Sequence, residues 1–289
     1  MLYVDLTING LIYGSMYAMM AVGLTLVYGL LRVLHIAHAT VYALGAFIGV
    51  VVANATDSLP LAFVLAIILA AILGGAIYRF VYEPLLKHPP YVPMIASMGI
   101  LVFMEDGFRI IFGEQGLTFS RNPYYVQTYE FLGVTVTAVQ IAMVVSAIVL
   151  LTGFALFTTR TRIGIGWRAT VSNPKIAISF GVDAIKVRYL NFFIGSGLAA
   201  VAGVLVALLN NFVEPTMGFV VSYKALAIIV LGGLGSVRGT LIASLILGVI
   251  ESFGTIFIDK FLDRDAIAFL FLIVVLMIRP RGFTGAQAT

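Results

Sequence analysis

The stretch DLTINGLIYGSMYAMMAVGLTLVYGLL, residues 5–31, contains one charged residue, Asp5, at its first position. About 20 consecutive apolar residues span a bilayer as a helix, whereas a barrel strand needs about 9–11 residues of alternating character. This run is too long for such a strand and does not alternate, so it reads as a membrane helix. It is not a cleavable signal peptide, because the first basic residue, Arg32, follows the apolar run instead of preceding it.

Comparable apolar segments recur at 36–54, 60–82, 94–112, 137–158, 189–212, 240–258 and 266–279, with a shorter one at 224–235. The whole chain agrees with them. Its 289 residues are 61% hydrophobic and 10% charged, with mean hydropathy +1.10. A soluble domain carries about 25% charged residues, so an ordinary soluble enzyme, a secreted domain and a disordered chain are excluded. The expectation is an all-α, polytopic transmembrane helix bundle with about eight full spans and a broken half-span. It forms one membrane domain over 1–289. With no cysteine there is no disulfide framework, iron–sulfur cluster or thiolate zinc site. The net charge of +4 is not arranged as a basic stripe among aromatics, so no nucleic-acid partner is expected.

Basic residues orient such a bundle, because cytoplasmic loops are enriched in Lys and Arg. Loop 159–188 holds Arg160, Arg162, Arg168, Lys175, Lys186 and Arg188 against the single acid Asp183. It is placed in the cytoplasm, with Lys87 and the tail residues Arg279 and Arg281. The N-terminus, loop 113–136 (Glu114, Arg121, Glu130) and loop 259–265 (Asp259, Lys260, Asp263, Arg264, Asp265) fall outside.

Within the basic loop, Asn173-Pro174 is a helix-start signal, with Asn173 as N-cap and Pro174 in the first helical position. Ala177 lies one turn on, and Gly181 ends the short helix. Such a segment either docks on another protein or is a solvated loop that sets topology. A second signal is Gly232-Gly233-Leu234-Gly235-Ser236-Val237-Arg238-Gly239, four glycines in eight residues. Each glycine costs a helix up to about 1 kcal/mol relative to alanine. The helix therefore breaks, either exposing backbone groups to a solute or packing closely on a neighbour. No G-x-x-x-x-G-K-[ST] occurs, so the chain itself is not expected to bind ATP.

His35-Ile36-Ala37-His38 joins the first two spans. It has no third ligand that would favour a metal, and a polar kink or a packed pair is expected instead. Gly29 and Gly45 flank this kink with the same separation as Gly232 and Gly248, a faint echo of paired interrupted helices. Glu105 and Arg109, with Asp106 between them, are read as a pairing within one helix. Glu251 lies mid-span without an evident local partner, as a buried acid or a pathway residue. Lys224 opens the short segment from outside, to attract an anion or to snorkel. No nucleophile–base pair, proton relay, voltage-sensing helix or potassium-type filter is found.

Three motifs together resemble the inner-membrane permease subunits of branched-chain amino acid ABC transporters of the LivH type, over about residues 5–283. They are Asn9-Gly10-Leu11 with Gly14-Ser15-Met16-Tyr17-Ala18 and Gly23-Leu24-Thr25-Leu26-Val27-Tyr28-Gly29; then Thr161, Gly164, Arg168-Ala169, Asn173-Pro174, Ala177 and Gly181-Val182; then Gly232-Gly233-x-Gly235-Ser236-x-x-Gly239. The resemblance implies a second related permease, two cytoplasmic ATPases carrying ATP and magnesium, and a periplasmic solute-binding protein. This chain would then hold no cofactor and catalyse nothing alone. Loop 159–188 becomes the ATPase coupling segment, with Gly164, Arg168, Ala169, Asn173, Pro174, Ala177 and Gly181 as its residues. The pathway candidates are His38, Gly232, Gly233, Gly235 and Ser236, with Glu251. The sequence departs from the family at the first kink, where only Ala37 and His38 hold, and at Arg238, where proline is common. Those departures leave urea, amides or aromatic carboxylates open beside branched-chain amino acids. A standalone channel for a small neutral solute is the reading from another class.

Overall fold

A computed structural model of the chain describes residues 2–120, 127–131, 133–257, 264–278 and 282. The expectations resting on Arg121, on Asp259, Lys260 and Asp263, and on Arg279 and Arg281 lie outside the described residues.

The architecture is a helix bundle. α1 (Leu2–Leu31) is about 45 Å long at 1.5 Å per residue and is buried along most of its length. α2 (His38–Thr56) and α3 (Leu59–Ile77) follow. α3 runs through a π-helical turn, Tyr78–Tyr82, into the one-turn α4 (Glu83–Leu85). α5 (Tyr91–Phe112) and α6 (Ala138–Arg160) stand at the periphery. α7 (Arg162–Ser172) and α8 (Pro174–Ser179) form the connection to α9 (Ala184–Asn210). α10 (Met217–Gly232), α11 (Val237–Phe257) and α12 (Arg264–Ile278) complete the order. Six of these helical segments are long and apolar enough to cross a membrane.

α1 and α9 form the centre, and small residues let the others approach them. Gly10 and Gly14 make a GxxxG face on α1 that meets α11. A Cβ on Gly10 would lie 2.6 Å from the Val249 Cα, and one on Gly14 2.9 Å from the Leu245 Cα. Gly248 closes the same contact from α11. Without a hydrophobic driving force between helices in lipid, this close backbone approach is what holds such pairs together. α2 meets α9 in the same way, with Gly45 against Ala200 and Gly203 against the Tyr42 carbonyl. Of the four glycines of the sequence echo, Gly45, Gly232 and Gly248 are close helix-packing contacts, whereas Gly29 meets Gly235 and Val171 at ordinary van der Waals distance.

Two expectations need correction. The short segment read at 224–235 begins earlier: α10 starts at Met217. Lys224 looked like its outer boundary, yet it is a buried mid-helix residue, 5% exposed, because a carboxylate on α11 receives it. The all-α expectation needs one addition: within 113–137, Thr128–Phe131 and Val134–Thr137 pair antiparallel, Thr128 opposite Thr137. This hairpin leads into α6, whose start is held by a reciprocal cap between Thr137 and Gln140.

Candidate functional site

The connection between α6 and α9 is built by local rules. The Thr161 side chain caps α7 by accepting the Gly164 N–H at 2.9 Å. Gly164 is obligatory, since a Cβ there would lie 2.5 Å from the Thr158 Cα of α6. Asn173 caps α8, its Oδ1 accepting the Ile176 N–H at 3.1 Å, with Pro174 in the first helical position. α8 ends in a Schellman arrangement: the Val182 N–H reaches the Ala177 carbonyl and the Gly181 N–H reaches the Ile178 carbonyl. Gly181 takes φ +82° to allow this. Asp183 then caps α9, and the N–H groups of Lys186 and Ile185 hold its carboxyl below its usual range.

This segment is fixed to the bundle on one side and open on the other. Trp167, which the sequence reading did not single out, donates its Nε1–H to the Asn191 Oδ1 of α9 at 2.9 Å and sits edge-on to Phe154 of α6. Val171 lies against Gly29 of α1. On the open side, Ile163, Ile165, Ile176, Ile178 and Phe180 are exposed, Phe180 by 84%. Arg162, Arg168, Ala169 and Lys175 are exposed among them. Ala177 is buried beneath α8. Five exposed large apolar side chains with cations among them are unusual for a solvated loop and typical of a protein-binding face.

The glycine break is a tight turn between α10 and α11. Gly233 and Gly235 adopt φ +96° and +84°, and a Cβ on Gly232 would lie 2.5 Å from the Thr240 N. The Ser236 Oγ accepts the Gly239 N–H, capping α11. Gly235 lies against Gly29 and Tyr28. The turn thus sits at the same end of α1 as Val171, rather than at mid-depth as an interrupted helix would.

The other pathway candidates lie further along α1. His38 opens α2 and packs on Gly23, whose Cβ would come 2.8 Å from the His38 Nε2. His35 and His38 stand 5.7 Å apart, ring centre to ring centre, and the His35 Nδ1 is 2.7 Å from the Tyr82 hydroxyl in the π-helical turn. No group of three potential metal ligands occurs among the described residues. Glu251 is a buried acid with partners from distant helices. The Tyr17 hydroxyl donates to its Oε2 at 2.6 Å, and the Lys224 Nζ lies 3.2 Å from its Oε1. Lys224 therefore neither snorkels nor presents a bare cation at a mouth. Glu105 and Asp106 both pair with Arg109, as the spacing suggested. Gly235, His38 and Glu251 do not converge on one point. Each packs at a different height on α1.

The branched-chain amino acid transport system / permease component family matches residues 6–279 of the chain. The chain is 33% identical to the high-affinity branched-chain amino acid transport system permease protein BraD of Pseudomonas aeruginosa, over 98% of this chain and 96% of that one. It is 30% identical to the corresponding permease protein LivH of Salmonella typhimurium, over 96% and 94%. A more distant relative, the autoinducer 2 import system permease protein LsrC of Salmonella paratyphi B, is 29% identical over 80% of this chain and 66% of its own. No solved structure matches.

Proposed function

The chain belongs to the permease-component family of branched-chain amino acid transport systems and is a transporter subunit rather than an enzyme; from that premise, we propose that it translocates branched-chain or closely related amino acids as one of two permease subunits of an ATP-driven importer. The observation that carries the reading is the family match across nearly the whole chain, including α7 and α8. One of two cytoplasmic ATPases docks on the exposed apolar residues Ile163, Ile165, Ile176, Ile178 and Phe180, the other on the second permease, and ATP with magnesium binds to them. A second related permease completes the membrane unit, and a periplasmic binding protein delivers the solute.

In this reading the N-terminus is outside and the C-terminus inside. The helices α1, α2, α3, α5, α6, α9, α10, α11 and α12 each cross the membrane, α5 as a more polar element outside the six apolar spans and α10 and α12 as shorter ones. The six basic residues of loop 159–188 then lie in the cytoplasm. ATP-driven closure of the ATPases pushes on α7 and α8. Trp167 passes the displacement to α9, and Val171 passes it to the inner end of α1. Gly29, Gly235 and the glycine turn lie where that push arrives, so α10 and α11 shift together with α1.

The test is reconstitution of the complete transporter in proteoliposomes with its binding protein and internal or external ATP. Leucine uptake that depends on all four protein types supports the reading. Uptake of urea or of an aromatic carboxylate in place of leucine would reassign the substrate, and solute passage through this chain alone would replace the importer by a channel.

A further inference from the structure

α5 differs from α6 and from the stretch of α3 before its π-helical turn, at which Arg79 pairs with Glu83. α3 and α6 present faces such as Leu61, Val64, Ile68 and Ile72, or Ile141, Val145, Ile148 and Val149, all exposed and without a charge among them. Those faces suit lipid. α5 buries only a narrow strip, Pro93, Ser97, Leu101 and Phe108. Its open side carries Met98, Val102, Phe103 and Ile110, and with them the ion pairs of Arg109 to Glu105 at 2.6 Å and to Asp106 at 3.0 Å. The Asp106 side chain is 57% exposed and that of Arg109 40%. Glu105 lies seven residues inside the helix end, about 10 Å along its axis.

Ionisable residues within a membrane segment almost always face protein or a water-filled cavity, because lipid cannot solvate them. The open face of α5 therefore does not look into lipid over its outer third, where these charges lie. It also extends along nearly the full helix, from Tyr91 to Ile111, about 30 Å. A protein on either side of the membrane reaches only one end of such a face, whereas a membrane-spanning partner can cover all of it. We propose that this face of α5 is the contact surface for the second permease subunit, with Glu105, Asp106 and Arg109 bordering the space between the two. The inference rests on the paired-permease reading above and names the helix that makes the pair. Gly99 and Gly107 leave open space on this face, which lets a partner backbone come close.

The chain has no cysteine, so one introduced thiol is a unique address. Single variants Met98→Cys, Val102→Cys and Ile110→Cys on α5, with Ile68→Cys on α3 and Val149→Cys on α6 as controls, are labelled with a benzophenone maleimide in membranes holding the whole transporter, then photolysed. All five positions are exposed, so the bundle tolerates the change. The expected result is a product of the mass of this chain plus a second permease from the α5 positions, and none from the controls. Products with lipid alone from α5, or permease products only from α3 or α6, overturn the assignment. Purification of the tagged chain from the same membranes separates the two readings. ATPases and second permease present without an α5 product sink the interface and leave the transporter reading standing; a chain that purifies alone sinks both.

Discussion

Glu251 on α11 and Lys224 on α10 form an ion pair, 3.2 Å from Nζ to Oε1, with the carboxylate fully buried and the lysine side chain 7% exposed. Tyr17 of α1 stands between them, donating to Glu251 and lying within 3.2 Å of the Lys224 Nζ. Three helices that share no local sequence are thereby joined at one buried point. In an apolar interior a charge is tolerated only when its partner is in place.

Removing one member of this pair leaves the other charged and buried, a loss of about 3–5 kcal/mol in comparable cases. Lys224→Met and Glu251→Leu are each expected to lower the melting temperature in detergent sharply. The double variant is expected to recover much of the loss. A cycle in which the two single effects simply add would show that the pair is not coupled.

Gly164 and Gly181 fall in the same connection but do different work. A Cβ at Gly164 meets the α6 backbone, so Gly164→Ala is expected to displace α7 and abolish assembly with the ATPases. At Gly181 there is open space and only the φ of +82° resists substitution. Gly181→Ala is therefore expected to cost about 1 kcal/mol and to weaken assembly, with Gly181→Asn weaker still in effect. Co-purification of the ATPases with each variant measures the order. Equal retention by Gly164→Ala and the wild type would remove the steric argument.

The apolar spans, the basic loop and the caps at Asn173 and Gly181 were legible because each is written in neighbouring residues. The fate of Lys224 was not. A lysine near the end of an apolar run looks like a boundary until the fold brings Glu251, 27 positions away, onto the same point. Glu251 was legible as a buried acid but its partner was not, since Tyr17 lies 234 positions away. The glycine run was legible as a break but not in its depth. Only the packing of Gly235 on Gly29 puts it at the end of α1. The hairpin at 128–137 escaped because four-residue strands carry little periodicity.

The GxxxG face of α1 gives a third prediction. Gly14→Leu is expected to force α1 from α11 and leave little folded protein, because the added atoms meet the Leu245 backbone. Gly153→Leu on α6, where nothing lies within 4 Å, is the control and is expected to be neutral. Size-exclusion profiles of the two variants in detergent make the comparison. A monodisperse Gly14→Leu variant at wild-type yield would contradict the packing.

Trp167 offers the sharpest test of how α7 acts on the bundle. Trp167→Phe keeps an aromatic ring against Phe154 but removes the N–H donated to Asn191, which is 1% exposed. An orphaned buried acceptor costs about 1–3 kcal/mol, whereas removing both partners together can be nearly neutral. The apolar docking face is untouched by the change, so the ATPases are expected to remain bound and to hydrolyse ATP. Uptake is expected to fall, because α7 then moves without carrying α9. Replacing Asn191 with leucine in the same chain should restore the stability but not the uptake, since the missing element is the hydrogen-bonded link and not the volume. Uptake and hydrolysis measured side by side in proteoliposomes decide it: parallel losses in both would mean that Trp167 only supports the shape of the docking segment, and unchanged uptake would mean that α7 moves α9 by another contact.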